Sequence, residues 1–197
     1  MNTTKMFIQS NPNVELTFQQ IVEFTLNKQE GGIIEIGVGH GDTSVQLLKL
    51  CEKHNREYIA IDPFESNWNN IPESYGKPYP YEVWSNNIKL FRNKNRITHY
   101  QVPSQDKSLY KILKQHTPIA FAFVDGLQFK EAVLSDIKLL TTLKCPVICI
   151  DDYNRNTTVS QVPEAVNEFL QNNPEYKVVA ENNNVTRCKA YIVDNTW

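Results

Sequence analysis

The sequence predicts an α/β fold with a doubly wound, mostly parallel sheet and an antiparallel pair of strands on its C-terminal side. Five short apolar runs alternate with segments of helical periodicity, and parallel strands need crossover connections of this kind. Glycines follow the first apolar run, as expected where a strand turns into a helix. Two late strand-like segments are separated only by a polar turn, which predicts that they pair antiparallel.

The first part of the chain contains three predicted helices and two predicted strands. In chain order these are helix 18–26, strand 32–36, helix 42–54, strand 58–61 and helix 81–93. Pro63 ends the second strand because proline cannot donate to a strand ladder. Residues 63–80 combine prolines with the aromatic residues Trp68, Tyr75 and Tyr79, which predicts an irregular, lid-like loop.

The second part of the chain contains the remaining parallel strands, three helices and the closing pair. In chain order these are strand 97–102, helix 105–115, strand 119–124, helix 129–143, strand 147–150, helix 163–170, and strands 176–180 and 188–193. No internal repeat or low-complexity segment divides the chain. We therefore expect a single domain over residues 1–197 with a helical lead over 1–30.

Composition excludes several classes of protein. Of 197 residues, 41% are hydrophobic, and 20 basic residues stand against 22 acidic ones, a net charge of -2. Without a basic excess we expect no nucleic-acid partner, and without a run of about 18 apolar residues we expect no membrane partner. The cysteines include no C-x-x-C pair and indicate neither a zinc site nor a disulfide framework. A cytoplasmic location is expected.

The glycine turn is the first candidate for ligand binding. Gly37, Gly39 and Gly41 stand at alternate positions between the first strand and its helix, where backbone can approach a ligand closely. A dinucleotide fingerprint, G-x-G-x-x-G, would need a third glycine where Asp42 stands, and this carboxylate would repel a pyrophosphate. The pattern favours a cofactor without phosphates at this turn, or glycines that serve only to make the turn.

The ends of the first two strands resemble those of the class I S-adenosylmethionine-dependent methyltransferases, which have a Rossmann-like fold. Their first-strand motif is an acidic residue followed by G-x-G-x-G, here from Glu35 to Gly41, and their second strand ends in an acid, here Asp62. The resemblance implies that the three glycines pass under the methionine part of the cofactor, that Glu35 helps to hold its amino group and that Asp62 binds the ribose. Ser44, in the following helix, is also expected to bind the cofactor.

A second segment resembles a particular group of these enzymes, the O-methyltransferases. Ser104-Gln105-Asp106 follows the third strand and resembles the serine-glutamine-aspartate segment of catechol-type O-methyltransferases, which implies that Ser104 and Gln105 contact adenine. Ser104 is equally well placed as the N-cap of the next helix. Tyr81-Glu82-Val83-Trp84 resembles a helix of sugar and macrolide O-methyltransferases, and the similarity spans residues 31–155.

Three aspartates follow two neighbouring strands and predict a cation site. Asp125 ends the fourth strand and Asp151-Asp152 end the fifth, and adjacent strands lie only about 4.8 Å apart. Three carboxylates this close would repel one another unless protonated or neutralised, and oxygen-only ligands favour Mg²⁺ or another hard divalent cation. Each acid could instead cap a helix or pair with Lys or Arg. The resemblance to metal-dependent O-methyltransferases also implies Asp125, Asp151 and Asp152 as metal ligands.

One segment departs from the pattern of those enzymes. The sugar enzymes usually carry Asp-Gly-Asp-His-Ser-Tyr after the metal aspartate, and catechol-type enzymes place a lysine base at the histidine position, whereas this chain reads Asp125-Gly126-Leu127-Gln128-Phe129-Lys130. Gln128 cannot act as a base and is a candidate for orienting substrate. Lys130 is the nearest substitute for the base, and His40 is another.

These observations predict a metal-dependent methyl transfer from S-adenosylmethionine to a hydroxyl of a small molecule, assisted by Asp125. The acceptor would be a sugar or sugar-bearing natural product ahead of a catechol-like phenol. The aromatic residues of the 63–80 loop would form an acceptor wall or the contact of a homodimer. A cofactor-binding module without catalysis and an NAD-dependent oxidoreductase are the alternatives.

Overall fold

The computed structural model describes residues 17–65, 78–94, 96–153, 160–182 and 189–195. Its seven strands form one sheet in the order β3-β2-β1-β4-β5-β7-β6. The strands are β1 Gly32–Ile36, β2 Tyr58–Ile61, β3 Ile97–Tyr100, β4 Ile119–Val124, β5 Val147–Ile150, β6 Tyr176–Asn182 and β7 Lys189–Asp194. The α-helices are α1 Phe18–Lys28, α2 Asp42–His54, α3 Tyr81–Asn87, α4 Leu109–Leu113, α5 Lys130–Thr142 and α6 Val162–Asn172.

The predicted fold class is confirmed. β1 to β5 pair in parallel, whereas β7 pairs antiparallel with both β5 and β6. The four strands β1, β2, β4 and β5 have the predicted bounds, because each is a buried apolar run closed by a polar residue or a glycine. Of the aromatic residues predicted to line the lid-like loop, Trp68 and Tyr75 lie outside the described residues.

Two predicted helices are shorter than expected. The segment after β3 becomes helical only at Leu109, because the carboxylate of Asp106 accepts hydrogen bonds from the backbone N–H of Ser108, at 2.7 Å, and from its hydroxyl, which hold a turn there. Helix α3 ends at Asn87, and a 3₁₀ turn over Lys89–Phe91 replaces its predicted last turn.

Alternation along the strands divides the core between the two faces of the sheet. Ile33, Tyr58 and Phe123 point to the face covered by α1, α2 and α3. Ile34 and Ile59 point to the opposite face, covered by α4, α5 and α6. Both faces are buried, which is the condition for parallel strands made of continuous apolar residues.

The strand order reverses between β1 and β4, which is where open α/β sheets bind ligands at the carboxyl ends of their strands. Backbone hydrogen bonds join these ends: the N–H of Gly37 donates to the carbonyl of Ile61 at 2.9 Å, and the N–H of Asp125 donates to the carbonyl of Ile36 at 2.8 Å. Among the described residues, no helix has both the length and the apolar character needed to cross a membrane.

Candidate functional site

A cavity of about 320 Å³ opens at the carboxyl ends of β1, β4 and β5. It brings together seven of the predicted site residues: Glu35, Gly37, Gly39, Gly41, Asp125, Gln128 and Asp152. The other described residues that line it are Val38, His40, Asp42, Thr43, Tyr79 and Gly126. Six predicted residues lie outside its lining: Ser44, Asp62, Ser104, Gln105, Lys130 and Asp151.

All three glycines of the turn after β1 have positive φ angles, of 80°, 50° and 98° for Gly37, Gly39 and Gly41. A Cβ at Gly37 would lie 2.2 Å from the carbonyl oxygen of Asp125, and one at Gly41 would lie 3.0 Å from Cδ1 of Trp84. The glycines are therefore required for the turn itself, and the same residues expose its backbone to the cavity.

Glu35 is fully buried at the floor of the cavity. Its Oε2 accepts hydrogen bonds from the hydroxyl of Ser44, at 2.7 Å, and from the hydroxyl of Tyr58. Trp84 Nε1 donates to the Ser44 oxygen at 3.0 Å. Ser44 therefore contacts Glu35 from outside the cavity lining. The contacts of Tyr58 and Trp84 with this group were not predicted from the sequence. Oε1 of Glu35 has no hydrogen-bond partner within the described part of the chain.

Burial raises the pKa of Glu35 to about 8 against the lowering effect of the two hydroxyl donors, and the nearby carboxylates of Asp125 and Asp62 make smaller contributions that also raise it. In the folded protein Glu35 therefore keeps a proton at pH values where the unfolded chain has lost it. Stability is retained at low pH and falls as the pH rises from about 4.5 towards about 8.

We expect the substitution Glu35→Gln to flatten this pH dependence. A neutral amide needs no proton, so the wild type should lose stability relative to the variant by about 1.4 kcal/mol for each pH unit within that window. Urea unfolding of both proteins at pH 5, 6, 7 and 8 measures the difference. Parallel stability curves over this range would contradict the assignment of a protonated Glu35.

Asp62 ties the end of β2 to the glycine turn. Its Oδ2 accepts from the N–H of Val38 at 2.9 Å, and its Oδ1 accepts from the N–H of Phe64 at 2.7 Å. Burial raises its pKa above the ordinary value despite these bonds. The backbone N–H of Gly39 also lowers the pKa of this carboxyl by hydrogen bonding, so Asp62 has a structural role and the predicted ribose contact stays a prediction.

Ser104 and Gln105 meet a buried acid that the sequence analysis missed. The amide nitrogen of Gln105 donates to the Ser104 hydroxyl at 2.6 Å and to Oδ1 of Asp136 at 3.2 Å. Ser104 does not cap a helix, because α4 begins only at Leu109. A signal for Asp136 exists in the sequence, since it interrupts the apolar stripe that runs from Val133 towards the end of α5.

The three predicted metal ligands are not equivalent. Asp125 and Asp152 line the cavity, whereas Oδ1 of Asp151 accepts from Nζ of Lys189 at 2.7 Å and from the N–H of Asp152 at 3.0 Å. The ammonium of Lys189 also lies 4.6 Å from the ring centre of Phe123. Asp151 therefore pairs with a lysine, which is one of the alternatives to metal binding that the sequence left open.

This arrangement does not fit a cation held by three carboxylates. No group of three or more His, Cys, Asp or Glu side chains among the described residues is placed to hold a metal ion. The predicted set of metal ligands, Asp125, Asp151 and Asp152, is incomplete, because the ammonium of Lys189 already neutralises the carboxylate of Asp151.

The two residues considered for substrate orientation and proton transfer take different positions. Gln128 lines the cavity, and its amide nitrogen donates to Oδ2 of Asp152. Nζ of Lys130 instead pairs with Glu164 and Glu168 of α6, and these hydrogen bonds raise its pKa. This placement argues against Lys130 as the base.

An aromatic pair forms one wall of the cavity. The rings of His40 and Tyr79 lie with their centres 4.1 Å apart, and Asn87 Nδ2 donates to the backbone carbonyl of His40 at 2.8 Å. Among the described residues of the lining, His40 carries the only imidazole. The arrangement offers a stacking surface and a proton acceptor beside the acidic side chains.

Fold and site together define a class I methyltransferase: the strand order is 3-2-1-4-5-7-6, and a glycine turn underlies a cavity at the point where that order reverses. Residues 34–153 match the model of the methyltransferase domain family, and the chain belongs to that family.

Solved structures share the fold at low sequence identity. The apo structure of CalS11, a TDP-rhamnose 3'-O-methyltransferase of calicheamicin biosynthesis, is 13% identical, with a TM-score of 0.62 over 97% of this chain and 93% of that one. TomG from Streptomyces achromogenes, an O-methyltransferase of tomaymycin synthesis in complex with SAM, is 13% identical, with a TM-score of 0.59 over 98% and 88%. MycE of mycinamycin biosynthesis, with Mg and SAH, is 14% identical, with a TM-score of 0.55 over 98% and 55%. No curated protein matches the sequence significantly.

Proposed function

We propose that this protein transfers a methyl group from S-adenosylmethionine to a hydroxyl of a small molecule. The observation that carries the proposal is the buried carboxyl of Glu35, a residue that lines the cavity under the glycine turn and whose Oε1 lacks a partner within the described chain. A buried polar atom without a partner is destabilising, and an ammonium donor from a bound ligand would satisfy it. The amino group of S-adenosylmethionine is such a donor.

The charge of the cavity supports a cationic cofactor over a dinucleotide. Besides the protonated Glu35, its described lining contains the acidic residues Asp42, Asp125 and Asp152 and no Lys or Arg. This set would repel a pyrophosphate and attract a sulfonium and an ammonium group. Together with the family membership, it disfavours the alternative of an NAD-dependent oxidoreductase.

When bound, the cofactor supplies an electrophilic methyl carbon on its sulfonium sulfur. The chain's own contribution is positional: the glycine turn lets backbone approach the cofactor, and Glu35 holds its amino group. Gln128, fixed on Asp152, offers its amide for orienting the acceptor, and the imidazole of His40 is placed to take the proton from the acceptor hydroxyl.

The acceptor class follows from the wall of the cavity. The tilted rings of His40 and Tyr79 offer aromatic surface to a ring-shaped molecule, and the acidic side chains beside them can accept hydrogen bonds from several hydroxyls. A sugar or sugar-bearing compound fits both features, ahead of a catechol-like phenol. The fold shared with a rhamnose O-methyltransferase supports the same order of testing.

The predicted Mg²⁺ is not part of this mechanism, because Asp151 forms an ion pair with Lys189. Assays of methyl transfer with Mg²⁺ and with EDTA test whether the reaction needs the metal. Methyl transfer that survives EDTA agrees with the observed pairing, whereas transfer only with Mg²⁺ would require Asp151 to leave Lys189 and join Asp125 and Asp152.

Calorimetric titration with S-adenosylhomocysteine tests the cofactor. We expect a dissociation constant in the micromolar range or tighter, about -8 kcal/mol or better, and binding about tenfold weaker in Glu35→Gln, which keeps the volume but cannot ionise to pair with the ligand's ammonium group. Glu131→Gln, on the exposed side of α5, is the matched control and should bind as the wild type does. Absence of binding by folded wild-type protein would overturn the proposal.

A second candidate function, a cofactor-binding module without turnover, is favoured by Gln128 at the position of the usual base. Sugars and catechols offered with labelled S-adenosylmethionine separate the two. Label in any acceptor supports the enzyme, and tight cofactor binding without label in any acceptor supports the module.

A further inference from the structure

Four buried side chains share hydrogen bonds behind the candidate site, and the proposed mechanism uses only one of them. They are Glu35 of β1, Tyr58 of β2, Ser44 of α2 and Trp84 of α3. The hydroxyl of Tyr58 lies 2.9 Å from the Ser44 oxygen and also contacts Oε2 of Glu35, to which Ser44 donates at 2.7 Å. These three oxygens, each within hydrogen-bonding distance of the other two, form an oxygen triangle, and Trp84 donates to its Ser44 corner.

The hydrogens in the oxygen triangle depend on whether Glu35 carries a proton. With a proton on Oε2, Glu35 donates to Tyr58, Tyr58 donates to Ser44 and Ser44 donates back to Glu35, so that each side of the triangle holds one hydrogen. Without that proton, both hydroxyls donate to Oε2, and the side between them holds none. Burial raises the pKa of Tyr58 well above its ordinary value, so its hydroxyl keeps a hydrogen in either state. Turning this one hydroxyl is enough to change between the two arrangements.

The other carboxyl oxygen of Glu35, Oε1, is the one left for a ligand. Glu35 lines the cavity, whereas Ser44 and Tyr58, which engage Oε2, are not among the described residues that line it. Oε1 also lacks a hydrogen-bond partner within the described part of the chain. An ammonium group at Oε1 would place a positive charge in contact with the carboxyl and favour its ionised form.

The titratable groups around this carboxyl come from several elements. Asp62 follows β2, Asp125 follows β4 and Cys51 belongs to α2, and each acts on Glu35 electrostatically or is acted on by it. The two aspartates favour the neutral form of Glu35. In the described lining of the cavity, the other titratable side chains are those of His40, Asp42, Tyr79 and Asp152.

We infer that Glu35 gives up its proton to solvent when a ligand's ammonium group binds there, and that Tyr58 is the positioning residue that lets the oxygen triangle hold either charge state. The inference rests on the proposed use of S-adenosylmethionine, whose amino group carries that charge. The exchange balances, because Oε2 loses a proton, solvent gains it, and Oε1 accepts a hydrogen bond from the ammonium group. Tyr58 then donates to Oε2 and no longer to Ser44. Cofactor binding consequently tightens as the pH rises towards the pKa of free Glu35, about 8.

Calorimetric titration with S-adenosylhomocysteine in phosphate and in Tris counts the released protons, because the two buffers differ in their heat of proton uptake. At pH 7 we expect the wild type to release about one proton per ligand, and its affinity to be about tenfold higher than at pH 6. Glu35→Gln has no proton to lose, so it should release none and bind equally at both pH values. His40→Gln removes the imidazole of the lining and should keep the release of the wild type.

Tyr58→Phe tests the positioning role. The ionised carboxylate loses a donor in this variant, so its proton is harder to remove. We expect binding at pH 7 to be about tenfold weaker, and the affinity to level off about one pH unit higher than in the wild type. Tyr100→Phe, the same change on β3, removes a hydroxyl that lies 2.6 Å from Nε2 of His116 and should leave the pH profile unchanged. Melting temperatures show whether each variant is folded.

Wild-type binding without proton release would overturn the inference and leave the proposed function intact. Release that persists in Glu35→Gln would assign the proton to another group and overturn it as well. If Tyr58→Phe bound more weakly by the same factor at every pH, its role would be structural and not one of positioning. If the folded wild type bound no S-adenosylhomocysteine in either buffer, the proposed function would fail and this inference with it.

Discussion

Replacing Gly37 with alanine is expected to destabilise the protein by about 3–5 kcal/mol and to abolish cofactor binding. Gly37 has a φ of 80°, a conformation that costs an L residue about 1–2 kcal/mol. The added Cβ would also lie 2.2 Å from the carbonyl oxygen and 2.5 Å from the carbonyl carbon of Asp125, and neither is a side chain that can move aside. The clash is relieved only if the ends of β1 and β4 separate, which opens the floor of the cavity.

Gly39→Ala is the matched control for this prediction. Gly39 also has a positive φ, of 50°, but a Cβ there would meet only the Tyr79 ring, at 3.6 Å. We expect this variant to lose about 1 kcal/mol from backbone strain alone. Urea unfolding and titration with S-adenosylhomocysteine measure both proteins, and equal losses of stability in the two variants would show that the contact with Asp125 is not the cause.

Replacing Lys189 with methionine is expected to destabilise the protein by about 3–5 kcal/mol. The side chain of Asp151 is 2% exposed and that of Lys189 is 16% exposed, so the variant would leave a buried carboxylate without its counter-charge. Methionine keeps an unbranched apolar side chain but lacks the ammonium, which pairs with Asp151 and lies over the rings of Phe18 and Phe123, so the loss reports the charge. Urea unfolding measures it.

Two further variants decide how the loss in Lys189→Met arises. The double variant Asp151→Asn with Lys189→Met removes both charges and should recover most of the stability. Lys53→Met breaks an exposed ion pair with Glu23 and should leave the free energy of unfolding nearly unchanged. If Lys189→Met proved as stable as Lys53→Met, the buried ion pair would have no role in stability, and Asp151 would return as a candidate metal ligand.

The sheet was predictable because its information is local. Strands such as β1 and β4 are apolar runs of a few residues with a glycine or an aspartate directly after them, and this pattern needs no knowledge of distant residues. The glycine turn and Asp125 directly follow β1 and β4, which lie side by side in the sheet, and both line the cavity.

Two failures of prediction concern long-range pairings. Lys189 reaches Asp151 only because β7 lies next to β5, and no sequence spacing shows this. Lys130 is close to Asp125 in sequence but begins α5, whose first turn faces α6 and its glutamates. The third failure is local. Helix α4 begins late because of the turn at Asp106, and the helical periodicity of the residues around it hid this turn from the sequence-based prediction.

The place of β7 in the sheet has a consequence for synthesis. β7 is the last described strand along the chain, yet it lies between β5 and β6 and not at an edge. While the chain leaves the ribosome, β5 therefore presents an open hydrogen-bonding edge, and β6 has no strand to pair with until β7 arrives. An unpaired apolar edge is a site for association between nascent chains, so we expect the chain to be most prone to association in the interval before β7 emerges.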